Sequence, residues 1–155
     1  MSLEKVQEYF ANYQMKEKIM VFDQSSATVE LAAQAVGCEP AHIAKTMSFL
    51  QGEQAVLIVT AGDMKIDNPK YKARFHQKAK MISGDLVESY IGHAPGGVCP
   101  FAVKEGIPVY LDESLKRFET VYPAAGSGNS AIGLTIDELE MYSKANGWVD
   151  VCKSK

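Results

Sequence analysis

Ala44-Lys45-Thr46-Met47-Ser48-Phe49-Leu50, the turn Gln51-Gly52-Glu53-Gln54, and Ala55-Val56-Leu57-Ile58-Val59-Thr60 decide how this chain folds. Two runs rich in apolar and β-branched residues flank a short glycine-bearing turn, which predicts a β-hairpin. The second run lacks polar alternation. A strand of that kind is covered on both faces, so it belongs in the middle of a sheet. In the first run, side chains alternate with period two, so Lys45 shares a face with Met47 and Phe49. One ammonium then stands at the end of an apolar face. Such a group needs acceptors or an anionic ligand. The competing reading starts the strand one residue later and leaves Lys45 in water. Thr46, on the other face, is read equally well as an ordinary β-favouring residue.

Upstream of the hairpin, Ser2 is placed to cap a helix over about 3–13, and Ile19 to Phe22 reads as a short strand. Asp23-Gln24-Ser25-Ser26 supplies capping residues for a helix from Ala27 to Val36, with Leu31, Ala32, Ala35 and Val36 toward the core and Gly37 as its stop. One helical turn follows Pro40. Downstream, 63–69 reads as a polar connector. Asn68 is placed to cap a helix with Pro69 in its first turn, running to about Gln77. Met81-Ile82 reads as a strand, and Gly84 and Asp85 open a helix that ends at Gly92. Strands are expected near 101–103, 107–111, 121–122 and 131–135. A short helix is expected at 113–118 and a last helix at 136–146, stopped by Gly147, with Trp148 and Val149 packing back and the Lys153-Ser154-Lys155 tail frayed. Strands outnumber the helices that could cross between them. The expectation is a mixed α/β fold with a substantial, partly antiparallel sheet.

The chain has 155 residues, a length suited to a single domain over 1–155. Its net charge of −3 gives no global basic field, so any nucleic-acid contact must be a local patch. There is no apolar run long enough to span a bilayer and no signal-peptide h-region. Three widely spaced cysteines, Cys38, Cys99 and Cys152, form no CxxC motif and read as reduced and cytoplasmic. No residue cluster suggests a metal.

Two further stretches could carry chemistry. Gly92-His93-Ala94-Pro95-Gly96-Gly97-Val98-Cys99-Pro100-Phe101 is a loop that glycines loosen and prolines stiffen. Such a loop either connects a helix to a strand or presents N–H groups to a carbonyl or phosphate oxygen. His93 and Cys99 within it could form an activated nucleophile, but six residues apart with no third orienting group is no signature, and a free Cys is more often a small buried hydrophobe. Lys70, Arg74 and Lys78 recur at i, i+4 and i+8 with Tyr71 and Phe75 interleaved. They form either a phosphate-tracking stripe or a solvated helix face with the aromatic rings turned to the core.

In this order and at these separations, three stretches resemble the aminoacyl-tRNA editing family of the YbaK/EbsC type, which includes prolyl-tRNA synthetase-associated domains. They are Ala44 to Phe49 with its lysine, the loop with Gly96 and Pro100 as the ends of a GxxxP pattern, and Ala124-Ala125-Gly126. The resemblance covers about 25–146. It implies a largely antiparallel, barrel-like β-sheet surrounded by helices. It also implies a free-standing deacylase that removes a small wrong amino acid from tRNA for proline, with no cofactor, metal or protein nucleophile. Under it, Lys45 orients the terminal adenosine or its phosphate. The backbone of Gly96, Gly97, Val98, Cys99 and Pro100 holds the aminoacyl group and stabilises charge at its carbonyl, and Thr46, His93, Ala125 and Gly126 contact substrate. Lys70, Arg74 and Lys78 are then the tRNA contacts. The implied partners are aminoacyl-tRNA and prolyl-tRNA synthetase, with no DNA and no membrane. The sequence departs from the family at Cys99, where many relatives have Ser, at His93, where an aromatic ring is common, and at Ala124, where some carry a polar residue. These departures leave the amino acid open. A non-catalytic module that binds tRNA ends and a Cys99-dependent hydrolase of small esters or thioesters are the alternatives.

Overall fold

The computed structural model describes residues 2–155. In chain order the elements are α1 (Ser2–Ala11), β1 (Ile19–Val21), α2 (Val29–Val36), β2 (Ile43–Gln51), β3 (Gln54–Ala61), β4 (Met64–Ile66), α3 (Asn68–Phe75), α4 (Val87–Ile91), β5 (Val109–Asp112), β6 (Thr120–Pro123), β7 (Ser130–Ile132), β8 (Leu134–Thr135), α5 (Ile136–Ser143), β9 (Gly147–Val149) and β10 (Cys152–Ser154). Short 3-10 turns lie at Lys16–Lys18, Pro40–His42 and Glu113–Arg117.

The hairpin forms as expected. β2 and β3 pair antiparallel from Ala44 opposite Ala61 to Gln51 opposite Gln54, with Gly52-Glu53 at the tip. From Ala55 onward every residue of β3 is buried. Leu57 and Val59 join one core with Phe10, Ile91, Phe101, Leu111 and Leu139. Val56 and Ile58 join a second core on the opposite face with Phe49, Tyr71, Val149 and Val151. Each large aliphatic side chain so enclosed contributes roughly 1.5–3 kcal/mol. β3 is therefore sandwiched, and the sheet grows outward from it in the order β8-β6-β2-β3-β5-β9. β2–β3 and β6–β8 are antiparallel, whereas β2–β6, β3–β5 and β5–β9 are parallel. Two small antiparallel ladders, β1–β7 and β4–β10, complete a curled half-barrel flanked by helices. Among the described residues no helix is long and apolar enough to cross a membrane.

Local readings fail where a distant partner decides. Ser2 lies inside α1 rather than before it, and its hydroxyl donates to the Gly92 carbonyl at 3.1 Å. α2 starts at Val29 and is capped by Thr28, whose hydroxyl accepts from the Leu31 N–H; Leu31 itself is exposed. Asp67, not Asn68, caps α3, which ends at Phe75 with His76 left-handed. The expected connector at 63–69 contains β4, and the tail expected to fray pairs with it as β10, Cys152 opposite Ile66 and Ser154 opposite Met64. Met81 makes only an isolated bridge to Phe49. The segment 101–103 is no strand, because Ala102 turns to a φ of 52°. The run 131–135 breaks at Gly133, where a β-carbon would sit 2.9 Å from the Tyr122 ring. α5 stops at Lys144, and Gly147 opens β9 instead.

Candidate functional site

β2 is paired on its second edge only at its ends. Ile43 and Ala44 meet Tyr122 and Pro123 of β6. At the far end the Leu50 N–H donates to the Lys80 carbonyl at 2.8 Å, and the Ile82 N–H to the Ser48 carbonyl at 3.1 Å. In an antiparallel strand the N–H and C=O of one residue point to the same side, and the side alternates along the chain. Ser48 and Leu50 thus show that even-numbered residues of β2 turn away from β3. Thr46 is the even-numbered residue in the gap, so its backbone groups face no strand.

A cavity of about 340 Å³ opens at this gap. Its walls are Ile43 to Met47 of β2, the segment Ser26 to Val29 that leads into α2, Gly96 and Val98, and Tyr122, Ala124, Ser130 and Ala131. Its volume lies near the low end of the range for small-molecule pockets, roughly 300–1,000 Å³. The loop that brings in Gly96 is pressed against a second glycine loop. A β-carbon on Gly97 would lie 2.8 Å from the Cα and N of Ser127, so only glycine allows the two backbones to meet.

Lys45 lies within β2, on the face of Met47 and Phe49, and is half-buried. Its Nζ donates to the Met64 carbonyl of β4. Burial, and then the positive charge of Lys155, hold its pKa below the usual lysine value. Thr46 lines the same cavity, and its Oγ1 is buried without a hydrogen-bond partner.

The structure brings Lys45, Thr46, Gly96 and Val98 together on the cavity wall and leaves the other expected residues off it. Gly97 donates its N–H to the Ala94 carbonyl at 3.0 Å. Pro100 and Ala125 are buried, and Gly126, at a φ of 98°, packs against Ser2 of α1. Cys99 and His93 are both fully buried, with Sγ 3.5 Å from Nε2. That Nε2 lies 2.7 Å from the Phe101 carbonyl oxygen. Burial pushes the Cys99 thiol up to about 12 and lowers the His93 pKa, so near neutral pH both are uncharged. An imidazole and a protonated thiol packed this way are core groups by geometry.

The three basic residues do not share one helix face, because α3 ends at Phe75 and Lys78 lies beyond it. Lys70 Nζ contacts Asp150 Oδ1 at 3.0 Å and donates to the Cys152 carbonyl at 2.9 Å. The Arg74 guanidinium lies over the Phe75 ring at 4.9 Å. Lys78 and Lys72 border a separate concavity of about 500 Å³. Tyr71 is fully buried and Phe75 packs beside it, as the core reading of these rings required.

The wall residues Ser26, Tyr122 and Ser130 were not legible as site residues. Ser26 read as part of a capping run, and no local pattern marks a strand residue such as Tyr122 as facing a cavity.

Comparison with known proteins agrees with the resemblance carried by Lys45 and the glycine loop. Residues 23–142 match the model of the aminoacyl-tRNA editing domain. The chain is 49% identical over 154 residues to the uncharacterized protein YwhH of Bacillus subtilis (strain 168), covering 99% of this chain and 98% of that one. It is 30% identical over 125 residues to the proline–tRNA ligase of Limosilactobacillus fermentum, covering 77% of this chain but only 20% of the ligase. A solved structure described as a proposed trans-editing enzyme for prolyl tRNA synthetase superposes with a TM-score of 0.87 at 27% identity, covering 99% of this chain and 98% of that one. The hypothetical protein APE2540 shares the fold, with a TM-score of 0.84 at 23% identity over 96% of this chain and 99% of that one. With the family model matched from just after strand β1 into helix α5, the chain belongs to the aminoacyl-tRNA editing domain family.

Proposed function

We propose that this protein is a trans-acting deacylase of the cytoplasm that hydrolyses the ester of a mischarged tRNA, a tRNA for proline bearing a small wrong amino acid. The observation that supports the reading is a cavity of about 340 Å³ lined by the half-buried Lys45 together with Gly96 and Val98 of the glycine loop. The ammonium keeps two N–H groups beyond the one given to Met64, and these anchor the phosphate or hydroxyls of the terminal adenosine. The Gly97 N–H is committed to Ala94, so the amides of Gly96 and Val98 are the donors toward the ester carbonyl. Water adds to that carbonyl, the amides stabilise the oxyanion, and the ester C–O bond breaks as the ribose oxygen takes the proton. Prolyl-tRNA synthetase, as the source of mischarged tRNA, is the proposed partner.

The test is a deacylation panel that pairs several small amino acids with tRNA for proline and tRNA for alanine, run on the native protein and on Lys45→Ala. A charge-assisted hydrogen bond to the 3′ end is worth roughly 1.5–3 kcal/mol, so the substitution lowers kcat/KM at least about tenfold. The fold survives, since removal of a half-buried ammonium relieves a desolvation cost. Lys45→Arg does not restore full activity, because a planar fork does not replace a compact charge. A stable Lys45→Ala protein with undiminished activity on its best substrate overturns the site.

A further inference from the structure

The ladder of β4 and β10 carries a charge pattern that works against its own stability. Lys153 stands directly opposite Lys65, between the pairs Cys152–Ile66 and Ser154–Met64. Directly opposed residues of an antiparallel pair send their side chains to the same face, and the face alternates along the strand. Cys152 is buried in the second core and Ile66 packs against it. Lys65 and Lys153 therefore point the other way, and both are exposed. Lys155, also exposed, continues that face two residues on, with its N–H donating to the Asp63 carbonyl at 3.2 Å. Like charges placed directly opposite destabilise a strand pair. This pair has only three residues in each strand to hold it together.

The carboxylates nearby do not relieve the repulsion. Asp63 gives its two oxygens to Arg117 at 2.6 and 3.0 Å. Asp150 contacts Lys70 Nζ at 3.0 Å, and Asp67 accepts from the Lys70 N–H at 3.1 Å as the cap of α3. Among the described residues, none of Lys65, Lys153 and Lys155 forms an ion pair. The positive face also adjoins the cavity. Lys45 donates to the carbonyl of Met64, the residue before Lys65 and opposite Ser154. After burial, the charge of Lys155 is what most lowers the Lys45 pKa, so the field of the ladder reaches a residue that lines the cavity.

We propose that the outer face of this ladder, Lys65 with Lys153 and Lys155, receives the phosphodiester backbone of the single-stranded 3′ end of the tRNA, next to the adenosine held at Lys45. This rests on the deacylase reading, which brings that end to Lys45. A polyanion laid along the ladder replaces lysine–lysine repulsion by attraction and releases counterions. Lysines are compact charges on flexible stems, suited to phosphate oxygens that hold no fixed geometry. Lys153 and Lys155 stand about 7 Å apart along their strand, comparable with the step between successive phosphates of an extended chain. No residue of this face is aromatic, so it positions the strand without stacking or reading its bases. β10 lies beyond residues 23–142 matched by the family model, so this face is a feature of the chain over and above its family membership.

The experiment measures binding of uncharged tRNA for proline across a salt series, with the tRNA intact or trimmed of its single-stranded 3′ nucleotides. The proteins are the native chain, the triple variant Lys65→Gln, Lys153→Gln, Lys155→Gln, and Lys153→Glu. At low salt the triple variant should bind intact tRNA at least about tenfold more weakly, with the slope of log K against log salt smaller by about two units. On trimmed tRNA the difference between native and triple variant should shrink toward none. Lys153→Glu turns the like pair into an opposite pair, so it should melt no lower than the native protein and still bind intact tRNA more weakly. That combination separates a binding role from a structural one. Unchanged affinity and slope in the triple variant overturn the inference, as does an equal loss on intact and trimmed tRNA. The deacylase reading is judged separately, by turnover of charged tRNA on the native protein. Weakened binding in the variants with no native turnover supports the inference and overturns that reading, whereas unchanged binding with native turnover does the reverse. A native protein that neither binds nor turns over tRNA overturns both.

Discussion

The imidazole of His93 is fully buried, with Nε2 2.7 Å from the Phe101 carbonyl oxygen and Nδ1 without a partner. Burial lowers its pKa, the Phe101 carbonyl opposes the shift in part, and the neutral ring is the form that the fold accepts. Between its folded pKa and the unfolded value of about 6.5, the unfolded chain binds more protons than the folded one, so stability rises with pH through that window. The contribution is complete above about 6.5 and is lost as the pH falls toward the folded pKa. Thermal melts from pH 7.5 downward should therefore show a falling Tm below about 6.5, and His93→Gln should flatten that part of the curve. An unchanged pH slope in the variant would assign the acid sensitivity to other groups. The neighbouring Cys99 thiol, pushed up to about 12, is a neutral packing group at the same pH.

At the scale of elements, the lysine site hangs on the C-terminal strand. The Met64 carbonyl that receives Lys45 belongs to β4, which is paired with β10. Just before β10, the Val151 N–H donates to Asp112 Oδ1 at 2.9 Å. The Ser114 N–H donates to Oδ2 of the same carboxylate at 3.0 Å. Asp112 is 1% exposed, so it joins the end of β5, the 3-10 turn after it and the approach to β10 inside the protein. The same carboxylate, after burial, pushes the Cys152 thiol up to about 12. Asp112→Ala leaves two buried N–H groups without acceptors. With hydrogen bonds to a charged group worth roughly 1.5–3 kcal/mol each, it should cost about 3 kcal/mol or more. Denaturant unfolding measures the loss, and hydrogen exchange should show β10 and β4 amides losing protection first. A cost under about 0.5 kcal/mol would mean that other contacts hold the strand.

For the whole molecule, a net charge of −3 gives no global basic field, so the proposed tRNA contact depends on a local patch. Lys70, Arg74 and Lys78 are exposed, although Lys70 is shared with Asp150 and Arg74 rests on aromatic rings. We expect replacement of all three by Gln to raise KM and to flatten the dependence of log(kcat/KM) on log salt, by about one unit of slope for each phosphate no longer neutralised. The measurement is deacylation across a salt series. An unchanged slope would return these residues to plain surface and direct attention to Lys72 beside the second concavity.

Much of this protein is determined by short-range pattern. The hairpin follows from period-two alternation beside an unbroken apolar run, and the start of α3 follows from a proline in its first turn. The family follows from a lysine in a strand and from glycines and prolines at set separations, features that survive in sequence because they are local. Tertiary structure decided the rest. β4 and β10 are three residues each and exist only because each supplies the other's hydrogen bonds across the length of the chain. Within one glycine loop, Gly96 and Val98 line the cavity while His93 and Cys99 enter the core, since the side that each residue presents depends on α1, α2 and the Gly126 to Gly128 loop packed around it. Ser26 looked like a helix cap until the gap in the edge of β2 placed an empty volume in front of it. Backbone conformation answers to neighbours in sequence, whereas the exposure of a side chain to a cavity answers to neighbours in space, and those are fixed only once the sheet has closed.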